Sequence, residues 1–303
     1  MLKKEFLVAP TSGEKQRLDI FLGEKIKEVS RSLLQKAIDQ KKVRVNGEFR
    51  KPSFRLKEGD WVEVEFEVPE TEKVEPENIP LEVVFSDTSL LVINKPSGMV
   101  VHPGIGNRTG TLVNALLFHF PEVKHIGPEE RPGIVHRLDK ETSGVMVVAR
   151  TLDAYRELQK QFKRREVEKV YAGLVWGKMP AKIGRMDWAI GRHPKYRERI
   201  SVKTHKPRPA ETHYVVKEEL GDFTLLEIKP LTGRTHQIRV HLSASGHPLV
   251  GDLRYGQRKS KAQYPRLFLH ASRLAFIHPD TRGRVEFSAP LPEELEKILK
   301  GLH

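Results

Sequence analysis

His136–Arg150 reads HRLDKETSGVMVVAR. Its second half is an apolar run, Val145 to Ala149, of strand length, and it reads as a buried strand. Asp139 lies just before that run, behind a Thr-Ser-Gly turn, with Arg137 and Lys140 on either side. A carboxylate at the mouth of a buried strand with cations beside it is held charged and aimed, as a nucleophilic or basic aspartate must be. The plainer reading is a turn-capping Asp paired with Arg137, and structural ion pairs are commoner than catalytic ones.

Working outward, the strands implied by apolar patterning are Leu90 to Ile93, Val170 to Trp176, Glu211 to Val216, Phe223 to Lys229, Leu267 to Leu269 and Val285 to Phe287. Helices fall between some of them. Thr111 caps one running to Phe118, and Leu152, Tyr155, Leu158 and Phe162 share a face of the next. A third covers Thr235 to Ser245 before Gly246 and Pro248, and Pro292 starts a last one. Strands outnumber helices and do not alternate strictly with them. The expected class is therefore α+β with a mixed, largely antiparallel sheet rather than a doubly wound parallel one.

The N-terminal part differs. Leu18, Phe21, Leu22 and Ile26 recur at helical spacing, and Ser30 is placed to cap a helix carrying Leu33, Leu34, Ala37 and Ile38. Val43 and Val45 lead into Asn46-Gly47, a hairpin turn, and Trp61 to Phe66 alternates like a half-buried strand. Residues 67–80 are acidic and punctuated by Pro69, Pro76 and Pro80, and read as a linker. The expected division is a small domain over 1–66, the linker over 67–80 and a large domain over 81–303.

The chain has 303 residues, a formal net charge of +13 and no cysteine. Such a charge suits a polyanion, and nucleic acid is the commonest. Without cysteine there are no disulfides, thiolate metal sites or cysteine nucleophile. No stretch reaches the roughly 20 apolar residues of a membrane span, and the N-terminus lacks the apolar run of a secretory signal, so a cytoplasmic location is expected.

Several patterns have competing readings. Gly104, Gly106 and Gly110 are spaced G-x-G-x-x-x-G, which is not the dinucleotide fingerprint, so a plain loop is expected. His236, His241, His247 and His270, with Asp252, lack a metal-ligand spacing, and capping, hydrogen bonding or phosphate contact suits them better. The run GRHPKYRER at Gly191 to Arg199 is either a solvated loop or a phosphate contact, and beside a basic N-terminal module phosphate contact is the better reading. Arg234, before a helix start, is either a solvated arginine or an anion holder. Tyr171 opens a strand, where tyrosines are more often core; a hydroxyl-bearing ring also suits stacking on a flipped base.

Together these motifs resemble the ribosomal large-subunit branch of the pseudouridine synthases that carry an S4-like RNA-binding domain. The likeness rests on RLDIFL, SRSLLQKAI, VRVNG and GDWVEV in the small domain. In the large one it rests on KPSGMVVHP, HRLDKETSGVMVVAR, EKVYAGLV, IGRHPKYR, TGRTHQIRVHLSASGHPLVGDLRYG and RLFLHASRL. The resemblance overturns the plainer reading of Asp139. It implies a cofactor-free, metal-free isomerase acting on structured RNA, with 23S rRNA favoured over tRNA, as a monomer that binds no membrane. The bond from ribose to uracil nitrogen 1 breaks, the base rotates, and a bond to carbon 5 forms.

The resemblance also implies roles. Asp139 is the catalytic aspartate, and Tyr171 stacks on the base and takes the carbon 5 proton. Arg234 pairs with Asp139, Arg137 helps open the helix or fills the space the flipped base leaves, and Leu269 packs near the base. Arg192, Lys195 and Arg197 would bind substrate, and Arg17, Arg31 and Lys36 would bind RNA in the small domain. Whether the aspartate acts at carbon 1′, at the 2′ proton or at carbon 6 is open. Two other functions compete: a non-catalytic RNA-binding assembly factor, and a metal-dependent nuclease using Asp139, His236 and Asp252.

Overall fold

A computed structural model describes residues 1–8, 16–26, 29, 31–67, 74–104, 106–196, 198–256 and 264–302, without the side chains of 31 and 32. The expected cap Ser30 therefore lies outside the described residues. The chain forms two compact units, Met1–Glu72 and Lys73–His303.

In the first unit, β1 (Leu2–Leu7) precedes helices α1 (Leu18–Lys25) and α2 (Arg31–Asp39), then β2 (Val43–Val45), β3 (Glu48–Phe49) and β4 (Trp61–Phe66). The sheet order is β1-β4-β2-β3, antiparallel throughout. Asn46 and Gly47 both have positive φ (52° and 77°), as the tight hairpin turn between β2 and β3 requires. Leu18, Phe21 and Leu22 of α1 pack with Val43, Val45, Val62 and Val64 in one core. Sequence patterning had not implied β1, which pairs along the whole length of β4.

The second unit contains β5 (Glu82–Ser86), β6 (Leu90–Lys95), α3 (Leu112–His119), β7 (Ser143–Ala149), α4 (Leu152–Arg164), β8 (Glu168–Trp176), β9 (Ile183–Met186), β10 (Gly191–Arg192) and β11 (Ile200–Ser201). It continues with β12 (Thr212–Leu220), β13 (Phe223–Pro230), α5 (Gln237–Ala244), β14 (Leu269–Ile277), β15 (Arg284–Ser288) and α6 (Glu293–Lys300). A nine-stranded sheet runs β5-β6-β7-β14-β8-β13-β12-β9, with β15 on β14. Its pairings are antiparallel except β7 with β14. This is the expected α+β class.

Every residue of β7 is buried, and strand alternation divides them between two cores. Val145, Val147 and Ala149 join Leu90, Val92, Tyr155 and Leu158 under α4. Met146 and Val148 join Leu91, Ile93, Leu112 and Leu116 under α3. Thr111 caps α3, closing a reciprocal box with Asn114.

Three expectations change. The Thr-Ser-Gly segment is not a turn, because Ser143 and Gly144 already belong to β7 and the turn lies at Lys140 and Glu141. Gly144 has φ of +121°, and a Cβ there would collide with the Ala271 carbonyl oxygen. Glycine is needed because β14 approaches at backbone distance. Second, the strand expected at Leu267–Leu269 extends from Leu269 to Ile277. Third, the latter half of the expected linker is bonded to α3. The Glu77 amide donates to the Asn114 carbonyl, the Asn114 side chain donates to Glu75, and the Glu77 carboxylate accepts from the Gly110 amide.

Candidate active site

Asp139 sits on the connection entering β7, and its neighbours hold that connection in place. The enclosed His136 ring stacks on Phe162 with centroids 4.6 Å apart, and its Nε2 accepts from the Val147 amide at 3.0 Å. Burial, with a smaller contribution from the Lys169 charge, pushes the His136 pKa down to about 3. A neutral ring can accept that bond. On the other side, the fully buried Lys95 donates to the carbonyls of Pro96 (2.7 Å), Met99 (2.9 Å) and Lys140 (3.3 Å). Burial and the nearby Arg266 lower its pKa to about 7, against the opposing pull of Asp139 and Glu141. Ser97 adds a bond to the Glu141 carbonyl at 2.7 Å.

The cation beside Asp139 is Arg239, not Arg234 as expected. Arg239 stands in the first turn of α5, and its NH1 lies 3.7 Å from Asp139 Oδ2 and 3.3 Å from Glu141 Oε2. Its Nε and NH2 donate to the two oxygens of Asp252 at 2.8 and 2.9 Å. The Asp252 carboxylate in turn accepts from the Arg254 and Tyr255 amides. Burial works against the charged form of Arg239, but the Asp252 bonds and the charges of Asp252, Asp139 and Glu141 prevail and raise its pKa. Burial likewise opposes the Asp252 carboxylate, whose pKa is nonetheless lowered by Arg239 and those two amides. A two-point clamp of this kind aims the remaining guanidinium nitrogen at Asp139.

Arg234 is part of the same cleft wall, but its Nε donates to the Pro209 carbonyl at 3.3 Å. Its loop is organised by Gln237, whose side-chain oxygen accepts from Thr232 and the Arg234 amide and whose nitrogen donates to Glu211 and Thr212. The loop thus leaves the Arg234 side chain outward and brings the guanidinium five residues later inward.

His236 completes the cluster. It adopts a left-handed backbone (φ 54°) before α5 and puts Nε2 4.0 Å from Asp139 Oδ1. Its Nδ1 meets the Tyr255 hydroxyl at 2.7 Å, and Tyr255 lies beneath the Arg239 guanidinium. Burial lowers the His236 pKa, outweighing Asp139. The other three histidines of that pattern have structural partners. His241 meets Thr212 and the Trp188 carbonyl, His270 meets Ser143 and Ala289, and His247 meets Trp176.

Asp139, Tyr171, Arg234, Arg137 and Leu269 line one cleft of about 500 Å³. Asp139 is the only carboxylate among its lining residues, whereas Arg137, Lys163, Arg165, Lys169, Arg234 and Arg239 are cationic. Tyr171 is half-buried on β8, and burial and the Asp139 charge raise its hydroxyl pKa. Arg192 and Lys195 belong to the β10–β11 hairpin and do not line the cleft. That hairpin reaches the cluster through the Ile200 amide, which donates to the Tyr255 hydroxyl at 3.0 Å. Arg197 and the Arg31 side chain lie outside the described residues.

In the first unit, Arg17 is engaged with the buried Asp19 at 3.0 Å. Lys36 shares a groove with Lys41, Lys42 and Arg44, three cations that sequence reading had passed over, and with Glu63, Glu65 and Glu67. Arg239 was also passed over. Its signal was Asp252, an acid in an apolar stretch that needed a cation, and the second arginine of TGRTHQIR.

A family model for RNA pseudouridylate synthase matches residues 89–244, and one for the S4 domain matches residues 16–62. An uncharacterized RNA pseudouridine synthase of Aquifex aeolicus is 42% identical, with 98% of this chain and 97% of that protein covered. Ribosomal large subunit pseudouridine synthase D of Pasteurella multocida is 39% identical over 95% of this chain and 91% of its own. Among solved structures, human RNA pseudouridylate synthase domain containing 1 superposes with a TM-score of 0.58 at 31% identity, covering 74% of this chain and 94% of its own. The chain belongs to the RNA pseudouridylate synthase family.

Proposed function

We propose that this chain converts uridines of 23S rRNA to pseudouridine, with Asp139 as the reacting group and the first unit as an RNA anchor. The observation that carries the reading is the cleft itself. One carboxylate, aimed by a clamped guanidinium, faces Tyr171 and Leu269 inside a cationic rim. The ribosomal substrate is favoured because the Pasteurella multocida relative is named for the large subunit.

A stacked uridine hides its reacting atoms, so it must leave the helix at a cost of about a few kcal/mol. Arg137, exposed at the rim, and the other cationic side chains offset that cost through phosphate contacts. Inside, Tyr171 gives the base a stacking surface and Leu269 an apolar wall. Exclusion of water strengthens the attraction between Asp139 and Arg239. Asp139 then promotes cleavage of the bond from carbon 1′ to nitrogen 1. After rotation carbon 5 bonds carbon 1′, and its proton is relayed through the Tyr171 hydroxyl, which releases its own proton as it receives that one, so that nitrogen 1 ends protonated and Tyr171 is unchanged. Nothing is oxidised and no water is consumed. A cytoplasmic monomer is part of the same reading.

The test is chemical mapping of pseudouridine in rRNA and tRNA from cells with the gene, without it, and with Asp139→Asn. Loss of a 23S rRNA pseudouridine in both altered strains is expected. An unchanged map, or loss confined to tRNA, would refute the assignment.

A further inference from the structure

A second hollow, of about 310 Å³, adjoins the cleft, and Arg137, Leu138, Asp139 and His236 line both. We propose that this hollow is a nucleotide subsite for the RNA residue next to the flipped uridine. The inference rests on the functional reading above and adds where the neighbouring nucleotide goes.

Charge supports the assignment. Arg137, Lys140 and Arg254 line the hollow. None of the three meets a carboxylate among the described residues. Lys140 Nζ reaches the neutral Asn107 side chain at 3.4 Å, and Arg254 NH1 donates to the Glu198 carbonyl at 2.9 Å. The two acids in the wall, Asp139 and Glu141, both lie within ion-pair distance of Arg239. Three cations thus keep their charge for an incoming anion, and a phosphodiester is the anion that a flipped nucleotide brings with it.

Shape and chemistry support a whole nucleotide rather than a phosphate alone. The far wall is Val100, Val101, His102, Pro103 and Gly104. Gly104 and Asn107 exchange backbone bonds at 2.9 and 3.0 Å, closing the glycine-rich turn that matched no dinucleotide pattern. His102 is half-buried, and its Nδ1 is buried without a hydrogen-bond partner among the described residues. Burial and the Arg137 and Arg131 charges lower its pKa. A neutral imidazole beside an apolar wall can stack on a base or bond its edge, as aromatic side chains do with unstacked RNA. Because the two hollows share Asp139, nucleotides joined by one phosphodiester can occupy both.

The experiment uses the full-length chain and synthetic stem-loop RNAs carrying the mapped uridine, with a neutral methylphosphonate replacing the phosphate on its 5′ or its 3′ side. With the wild-type chain, the neutral linkage on one side is expected to raise KM about tenfold and leave kcat within about twofold. Lys140→Ala with Arg254→Ala should raise KM for native RNA by a similar factor and lose its response to that linkage. A second cycle pairs His102→Ala with an abasic residue on the same side, where less-than-additive KM effects are expected. Additive effects in both cycles, from a chain that still converts native RNA, would overturn the subsite alone. Absence of any conversion by the wild-type chain would overturn the functional reading and the subsite with it.

Discussion

The cleft around Asp139 and the groove of the first unit both present cations, against one carboxylate in the cleft and three in the groove, but they hold them differently. In the cleft the decisive guanidinium, Arg239, is only 4% exposed and is fixed by two bonds to an Asp252 that is itself buried. In the groove, Lys36, Lys41, Lys42 and Arg44 all stand in solvent. A buried, doubly bonded cation fixes a direction and is little screened by salt. Exposed cations attract a polyanion from many directions and weaken as salt rises. The difference suits two tasks: rearranging a nucleoside needs an acid placed to within a fraction of an ångström, while holding RNA needs only charge density.

The comparison breaks first at Asp139. Asp139→Asn should lower turnover by at least about 10³-fold while RNA affinity changes by less than about threefold. Single-turnover pseudouridine formation alongside filter binding reads both, and normal turnover would remove the aspartate from the chemistry. Arg239→Ala should both slow the reaction and destabilise the second unit by about 3–5 kcal/mol, because Asp252 would keep a buried charge without its partner. Urea unfolding measures the second effect, and an unchanged midpoint would mean that the clamp is not structural.

The groove should behave in the opposite way. Lys36→Ala with Arg44→Ala should weaken RNA binding several-fold, cut the slope of log affinity against log salt by about 2, and spare kcat. Equal loss at all salt concentrations would argue against electrostatic anchoring. The smallest effect concerns acid. The folded His136 pKa, about 3, lies below the ordinary value of 6.5, so the unfolded chain binds the extra proton between them. Stability from this residue is complete above pH 6.5 and is lost as the pH falls towards 3. His136→Gln should flatten stability against pH across that window; an unaltered slope would mean that His136 is not the group that titrates.

Much of the large unit was legible because its signals are local. The run from Val145 to Ala149 could only be a buried strand, and Thr111 and Asn114 carry the cap of α3 within four residues. What escaped is set by distant partners. Ser143 and Gly144 read as a turn until the Ala271 carbonyl oxygen lies where a side chain would be. The sequence HASRLAFI shows no simple alternation because β14 is buried on both faces and its register with β8 shifts between Ala271 and Arg273, so its strand period was hidden. Arg234 and Arg239 are alike on paper. Only the bonds of Gln237 and the left-handed His236 decide which turns towards Asp139. Tyr171 and Leu269 came from resemblance rather than from pattern, since an aromatic and a leucine in strands carry no chemical signature.

The nine-stranded sheet seats β14 between β7 and β8, although those two follow one another along the chain. During synthesis, therefore, the segment bearing the acid and the segment bearing the tyrosine emerge early and wait for a wedge made much later. A truncated product lacking Leu269 would contain most of the sequence and none of the assembled chemistry. Long-range closure of this kind is slow. Newly made protein should consequently bind RNA before it can modify it.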